Sequence, residues 1–164
     1  MQATDVKVRR MSVVSSRPFD EVVKRLTANI GHPDMMAFNR DMKASRTMAD
    51  LEKVVKTATG PSGLMEFVRF DLGEVLAKEQ GAQAPKILRF VVGNPIIMKE
   101  MARTAPDAAS YAPVTILVDQ RADGVHLSYD SMASFIAPYG SEAALAVARA
   151  LDTKVENLLQ SAAA

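Results

Sequence analysis

The stretch Lys-Ile-Leu-Arg-Phe-Val-Val-Gly-Asn-Pro-Ile-Ile-Met-Lys-Glu-Met, from Lys86 to Met101, does most to restrict how this chain can fold. An apolar, β-branched run stops at Gly93-Asn94-Pro95, and residues with helical spacing follow at once. Proline has no N–H for a strand ladder, but it suits the first turn of a helix. The strand must therefore end before Pro95 and a helix must open there. The near-continuous apolar run over residues 87–92 predicts a strand in the middle of the sheet. A corner of this kind also brings backbone N–H groups close to any adjacent cleft.

The remaining elements arrange themselves around that corner. Residues 5–15 read as a strand, followed by a helix capped by Ser16 with Pro18 in its first turn. Phe19, Val22, Val23, Leu26 and Ile30 give that helix one apolar face, and Gly31 and Pro33 end it. Two further helices are expected over residues 34–43 and, capped by Thr47, up to Ala58. Residues 64–72 read as a strand with Leu64, Val68 and Phe70 on one side. A short helix over 73–80 follows, stopped by Gly81. After the helix at 96–103 and a loop at 104–112, residues 114–119 and 125–129 flank Asp123-Gly124, a hairpin signal because glycine accepts positive φ. Ser141 caps a last helix with Ala144, Ala148, Leu151, Val155 and Leu158 on one stripe, its final residues 161–164 expected to fray. The order predicts an α+β fold: a β-α-β-β-β-β-α core, its mainly antiparallel sheet covered on one face by helices. All 164 residues fit one domain, with 32–61 as a helical insertion after the first helix.

Composition removes several function classes. Without cysteine there is no disulfide, thiol nucleophile or Cys-based zinc site. A net charge of +1 and 5% aromatic content give no electrostatic or stacking basis for a nucleic-acid partner. No run reaches the ~18 apolar residues of a membrane span, and no signal-peptide pattern is present, so a cytoplasmic protein without a membrane partner is expected. Walker, GxGxxG, GxSxG and HExxH patterns are missing. His32 and His126 form no spaced pair, so no metal site is expected; any cofactor is unknown.

Phe70-Asp71, Phe90-Val-Val-Gly-Asn-Pro95, Pro106, Asp123-Gly124 and Leu127-Ser-Tyr-Asp130, in this order, resemble the domain-of-unknown-function 302 family. The resemblance is good from Leu64 onward and looser over residues 6–30. It implies a small α+β domain, often paired as a homodimer, and carries no reaction. Where the family has His after its strand-ending Asp, this chain has Leu72, so no role of that His transfers.

The candidate ligand-binding residues are Asp71, Gly93, Asn94, Pro95, Tyr129 and Asp130. Gly93 and Asn94 can present N–H groups and an amide to an anion or carbonyl; their ordinary role is to turn the chain and cap the helix that Pro95 opens. Asp71 can act as a base if its pKa is raised, and its ordinary role is an N-cap. Asp71, Asn94 and Asp130 converge only if the sheet brings three strand ends together. The ten methionines, Met35, Met36, Met42, Met98 and Met101 among them, suit adaptable core packing or a groove for an apolar ligand under the inserted helices. The expected function is a homodimeric small-molecule-binding or sensing domain, with catalytic residues unknown. The alternatives are a hydrolase- or isomerase-like enzyme with Asp71 or Asp130 as base, and a structural, partner-binding protein.

Overall fold

A computed structural model describes residues 3–164. Five strands, β1 (Arg10–Ser15), β2 (Met65–Asp71), β3 (Ile87–Gly93), β4 (Val114–Arg121) and β5 (Gly124–Asp130), form one sheet in the order β1-β5-β4-β3-β2. Every neighbouring pair is antiparallel, so the predicted α+β class and core order hold. β3 is interior, as its apolar run requires, but β4 takes the middle place.

Among the described residues seven α-helices accompany the sheet: α1 (Phe19–Thr27), α2 (Met35–Ala44), α3 (Met48–Ala58), α4 (Leu72–Gln80), α5 (Pro95–Ala102), α6 (Met132–Ile136) and α7 (Glu142–Ala163). α7 packs against α1, α5 and α6, and this layer covers one sheet face. Beneath it lie Phe90, Val92, Ile116, Val118 and Leu127, all fully buried together with Val22, Leu26 and Val155 of the helices. The alternate residues of the same strands face the other way. Val14, Val68 and Phe70 are exposed on that side.

Several boundaries differ from expectation for local reasons. Residues 5–9 precede the ladder, because pairing with β5 starts only at Arg10 opposite Asp130. Pro18, not Ser16, occupies the α1 N-cap, and no side chain caps it. α1 ends at Thr27, although Ile30 beyond it is still buried. A bulge between Glu66 and Val68 puts Val68 and Phe70 on the open face while Leu64 joins the core, so these three do not share a side. The short helix α6 follows β5, where no element was expected.

The C-terminus is held rather than frayed. Leu159 and Ala162 are buried, and Ser15 Oγ, Arg17 Nη2 and Arg25 Nη2 donate to the carbonyls of Ala163, Ala164 and Ser161. Those side chains satisfy helix-end carbonyls that lack intrahelical partners. The hairpin of α2 and α3 has its own small core of Phe38, Val55 and Met65. Asp34 caps α2, and Thr47 with Asp50 forms the capping box of α3. At the hairpin base, the amides of Gly31 and Gly60 both donate to Leu64 O, at 2.9 and 3.0 Å. The two chains approach so closely that a Cβ on Gly31 would overlap Ala58 O.

Candidate functional site

The antiparallel pairing of β2 with β3 decides where the expected residues go. Met65 pairs with Gly93 at one end of the sheet, and Asp71 pairs with Leu88 at the other. Asp71 is therefore remote from Asn94, and the convergence of Asp71, Asn94 and Asp130 does not occur. Asp71 caps α4, with Oδ1 accepting from the Glu74 amide at 2.9 Å. Gly93, Asn94, Pro95, Tyr129 and Asp130 do share the opposite end, but they divide between two concavities that meet at Pro113 and Val114.

The corner residues border an apolar cavity of about 210 Å³ between α2 and α5. Met42, Phe67, Met98 and Met101 line it, with Leu151 from α7. Three of the expected groove methionines, Met42 of α2 and Met98 and Met101 of α5, therefore share one cavity. The expected polar contribution of Asn94 is not free, however. Its Oδ1 accepts from the amides of Ile96 and Ile97, at 2.8 and 3.4 Å, and its Nδ2 donates to Gly63 O at 2.9 Å. Asn94 is a helix cap that also ties β3 to the start of β2, and the cavity has no amide left to orient a ligand.

The larger concavity, about 370 Å³, lies on the open sheet face. Its floor is built by alternation. Arg89 pairs with Leu117, Leu117 with Ser128, and Arg10 with Asp130, so these side chains rise from one face of four adjacent strands. Its wall is Tyr111, which follows a 3₁₀ turn at Pro106–Ser110, stacked on Phe135 of α6 with centroids 4.7 Å apart and planes 11° apart. Tyr111 and Tyr139 share a hydroxyl contact of 2.6 Å. Hydrogen bonding to Tyr111 pushes the Tyr139 hydroxyl up to about 12.

Charge in this cleft is unbalanced. Arg10 Nε and Nη2 donate to the two Asp130 oxygens at 2.7 and 2.8 Å, and that carboxylate raises the Arg10 pKa further. Arg89 has no carboxylate partner among the described residues; its nearest polar contact is Thr115 Oγ1 at 3.4 Å. Both Asp130 oxygens are thus occupied by the Arg10 fork.

These elements also fit a known pattern of sequence. The family described as Domain of unknown function DUF302 matches residues 40–162. The chain belongs to the DUF302 family. A crystal structure of an uncharacterized conserved DUF302 protein from Bacillus stearothermophilus is similar, with a TM-score of 0.64 over 93% of this chain and 97% of that one. At 12% identity that likeness concerns the fold. No curated protein matches the chain. The DUF302 match begins within α2 and ends one residue before the end of α7. Leu72, at the position of the expected family His, opens α4 as an exposed side chain.

One polar cluster in this DUF302 chain escapes sequence reading. Asp152 sits in the buried stripe of α7, one turn after Ala148 and just before Val155. It accepts from Tyr129 Oη at 2.7 Å, Ser131 Oγ at 2.6 Å, the Met132 amide at 2.7 Å and the Ala133 amide at 3.2 Å. Burial, with Asp152 beside it, pushes the Tyr129 hydroxyl far above the ordinary phenol range. Tyr129 is therefore committed to holding α6 on α7, and its hydroxyl is not available in the cleft. The signal was present in the sequence: a carboxylate on an apolar helix stripe needs buried donors. Among the described residues no cluster of three or more His, Asp or Glu is arranged to hold a metal ion, and no helix is long and apolar enough to cross a membrane.

Proposed function

We propose that this DUF302 chain is a small-molecule-binding domain whose site is the cleft on the open sheet face. The carrying observation is Arg89, a guanidinium without a carboxylate partner among the described residues, which borders a concavity of about 370 Å³ beside the Tyr111–Phe135 stack. Small-molecule sites typically combine such a volume and aromatic surface with a few fixed polar groups. The corner cavity offers volume without a free polar group. Asp71 lies at the other sheet end, which removes support for a catalyst that joins it to Asn94. The test is an NMR fragment screen of the full chain with a library spanning charge and shape. Binders that shift the amides of Tyr111, Thr115 and Ser128 support the site, and a library that leaves all three unmoved refutes it.

A homodimer is a second part of the reading, favoured by the exposed apolar side chains near edge strand β2. Val68, Phe70, Leu72 and Val75 are 40, 44, 39 and 67% exposed. Such a run of apolar surface on and beside an edge strand suits pairing with a second copy. Sedimentation at micromolar concentration should give a dimer that Phe70→Lys dissociates; a wild-type monomer would exclude this arrangement.

A further inference from the structure

We infer that the open-face cleft selects a planar monocarboxylate, such as a small aromatic acid; this rests on the cleft being a ligand site at all. The charges decide the sign and size of the ligand's charge. Arg10 spends its fork on both oxygens of Asp130, so that pair is neutral within itself. Arg89 remains, leaving one net positive charge. A guanidinium fork matches a carboxylate with two parallel N–H···O bonds, the strongest pairing open to a monoanion. A dianion would bring its second charge toward Asp130 without a second free cation to receive it.

The neighbours decide the shape. Thr115 Oγ1 lies within 3.4 Å of Arg89 Nη2, close enough to bond the same carboxylate. Ser128, on the next strand of the floor, makes no side-chain hydrogen bond among the described residues, although it is only 7% exposed. It can supply a donor to the ligand without giving up a partner. The Tyr111–Phe135 stack, with planes 11° apart, presents a rigid aromatic wall against which a flat ring packs. Leu117, opposite Arg89 in the register, supplies apolar floor to the same cleft.

The probes are benzoate, benzamide and inorganic phosphate, titrated into the labelled full chain and followed by the amides of Tyr111, Thr115 and Ser128. Benzoate should bind at least about tenfold more tightly than benzamide, which has the same shape without the charge, and more tightly than phosphate. Arg89→Gln should lose about tenfold for benzoate and leave benzamide unchanged. Arg89 is exposed, with its guanidinium 6.0 Å from the centroid of the exposed Phe70 ring, and Arg89→Lys, which keeps the charge without the fork, should be intermediate; amide dispersion of each variant reports folding directly. Equal binding of benzoate and benzamide, tighter binding of phosphate, or unchanged benzoate binding by a folded Arg89→Gln would each overturn the inference. If these probes fail while other fragments occupy the cleft, the carboxylate assignment falls and the binding-domain reading survives. If no fragment of any charge enters, both fall.

Discussion

Asp152→Ala should be among the most damaging single substitutions in the molecule. The carboxylate is 7% exposed and receives two hydroxyl and two amide donors. Removing it leaves those donors in a space that the alanine methyl cannot satisfy. Each buried donor left unpaired costs about 1–3 kcal/mol, more when its lost acceptor was charged. The four losses do not simply add. The Met132 amide keeps a 3.1 Å contact with Tyr129 Oη, and both hydroxyls can rotate toward other acceptors. A total of about 3–5 kcal/mol follows, in the range seen when one partner of a buried polar network is removed. For a chain of this length each kcal/mol lowers Tm by roughly 2–4 °C, so a fall of roughly 6–20 °C is expected by calorimetry. Asp152→Asn keeps one acceptor oxygen and should fall between wild type and Asp152→Ala. Combined with Tyr129→Phe, Asp152→Ala should cost at least about 1 kcal/mol less than the sum of the singles, because both remove the same bond. A loss under about 1 kcal/mol for Asp152→Ala, or strict additivity with Tyr129→Phe, would refute the view that this carboxylate clamps α6 to α7.

Tyr129 should also resist alkali. Its folded pKa lies above the unfolded value of about 10, so its contribution to stability is complete below that pH and is lost as pH rises above it. Phenolate absorbance should show Tyr129 ionising together with unfolding; a Tyr129 that ionises at its ordinary pKa in the folded chain would contradict its burial on Asp152. Asp71→Ala should cost about 1 kcal/mol, the value of an N-cap, and leave fragment binding in the cleft unchanged when both are measured on one preparation. Loss of binding with that variant would restore a functional role to Asp71. Gly124→Ala should destabilise by more than about 1 kcal/mol in urea unfolding, since φ is +141° and a Cβ would stand 2.7 Å from Ser15 O. A neutral result would mean that β1 and the hairpin yield there without penalty.

Much of the fold is legible because its signals are local. Asn94 before Pro95, Thr47 before Asp50 and Ser141 before Glu142 each cap a helix through bonds spanning two or three residues. The failures are nonlocal. Residues 161–164 have no sequence pattern that forbids fraying, yet Ser15, Arg17 and Arg25 hold the carbonyls there from about 140 residues away. The bulge that separates Leu64 from Val68 and Phe70 depends on how β2 meets β3, which alternation within β2 alone does not specify. α6 is a five-residue helix, too short for a periodic signal, and it exists because Ser131 and Asp152 cap its first turn.

The candidate site divides in the same way. Gly93, Asn94, Tyr129 and Asp130 all lie at the end of the sheet where the proposed cleft is, but three of these spend their polar or conformational capacity on the fold: Gly93 in tight packing against Pro113, Asn94 as a cap and Tyr129 on Asp152. The free chemistry belongs to Arg89, and its signal lay within the most informative segment. A single arginine in Ile-Leu-Arg-Phe-Val-Val is hard to place in a strand covered on both sides, because an unpaired buried guanidinium would be prohibitively costly. Its presence argues that β3 has one open face, and the antiparallel sheet provides that face. Which residues share the face with Arg89 requires the register. Leu117 and Ser128 reach it through two successive pairings, and Arg10 enters through a third with Asp130, 120 residues away in the chain. Arginine in an otherwise apolar interior strand therefore marks the open face of a helix-backed sheet, and the register then says which side chains share that face.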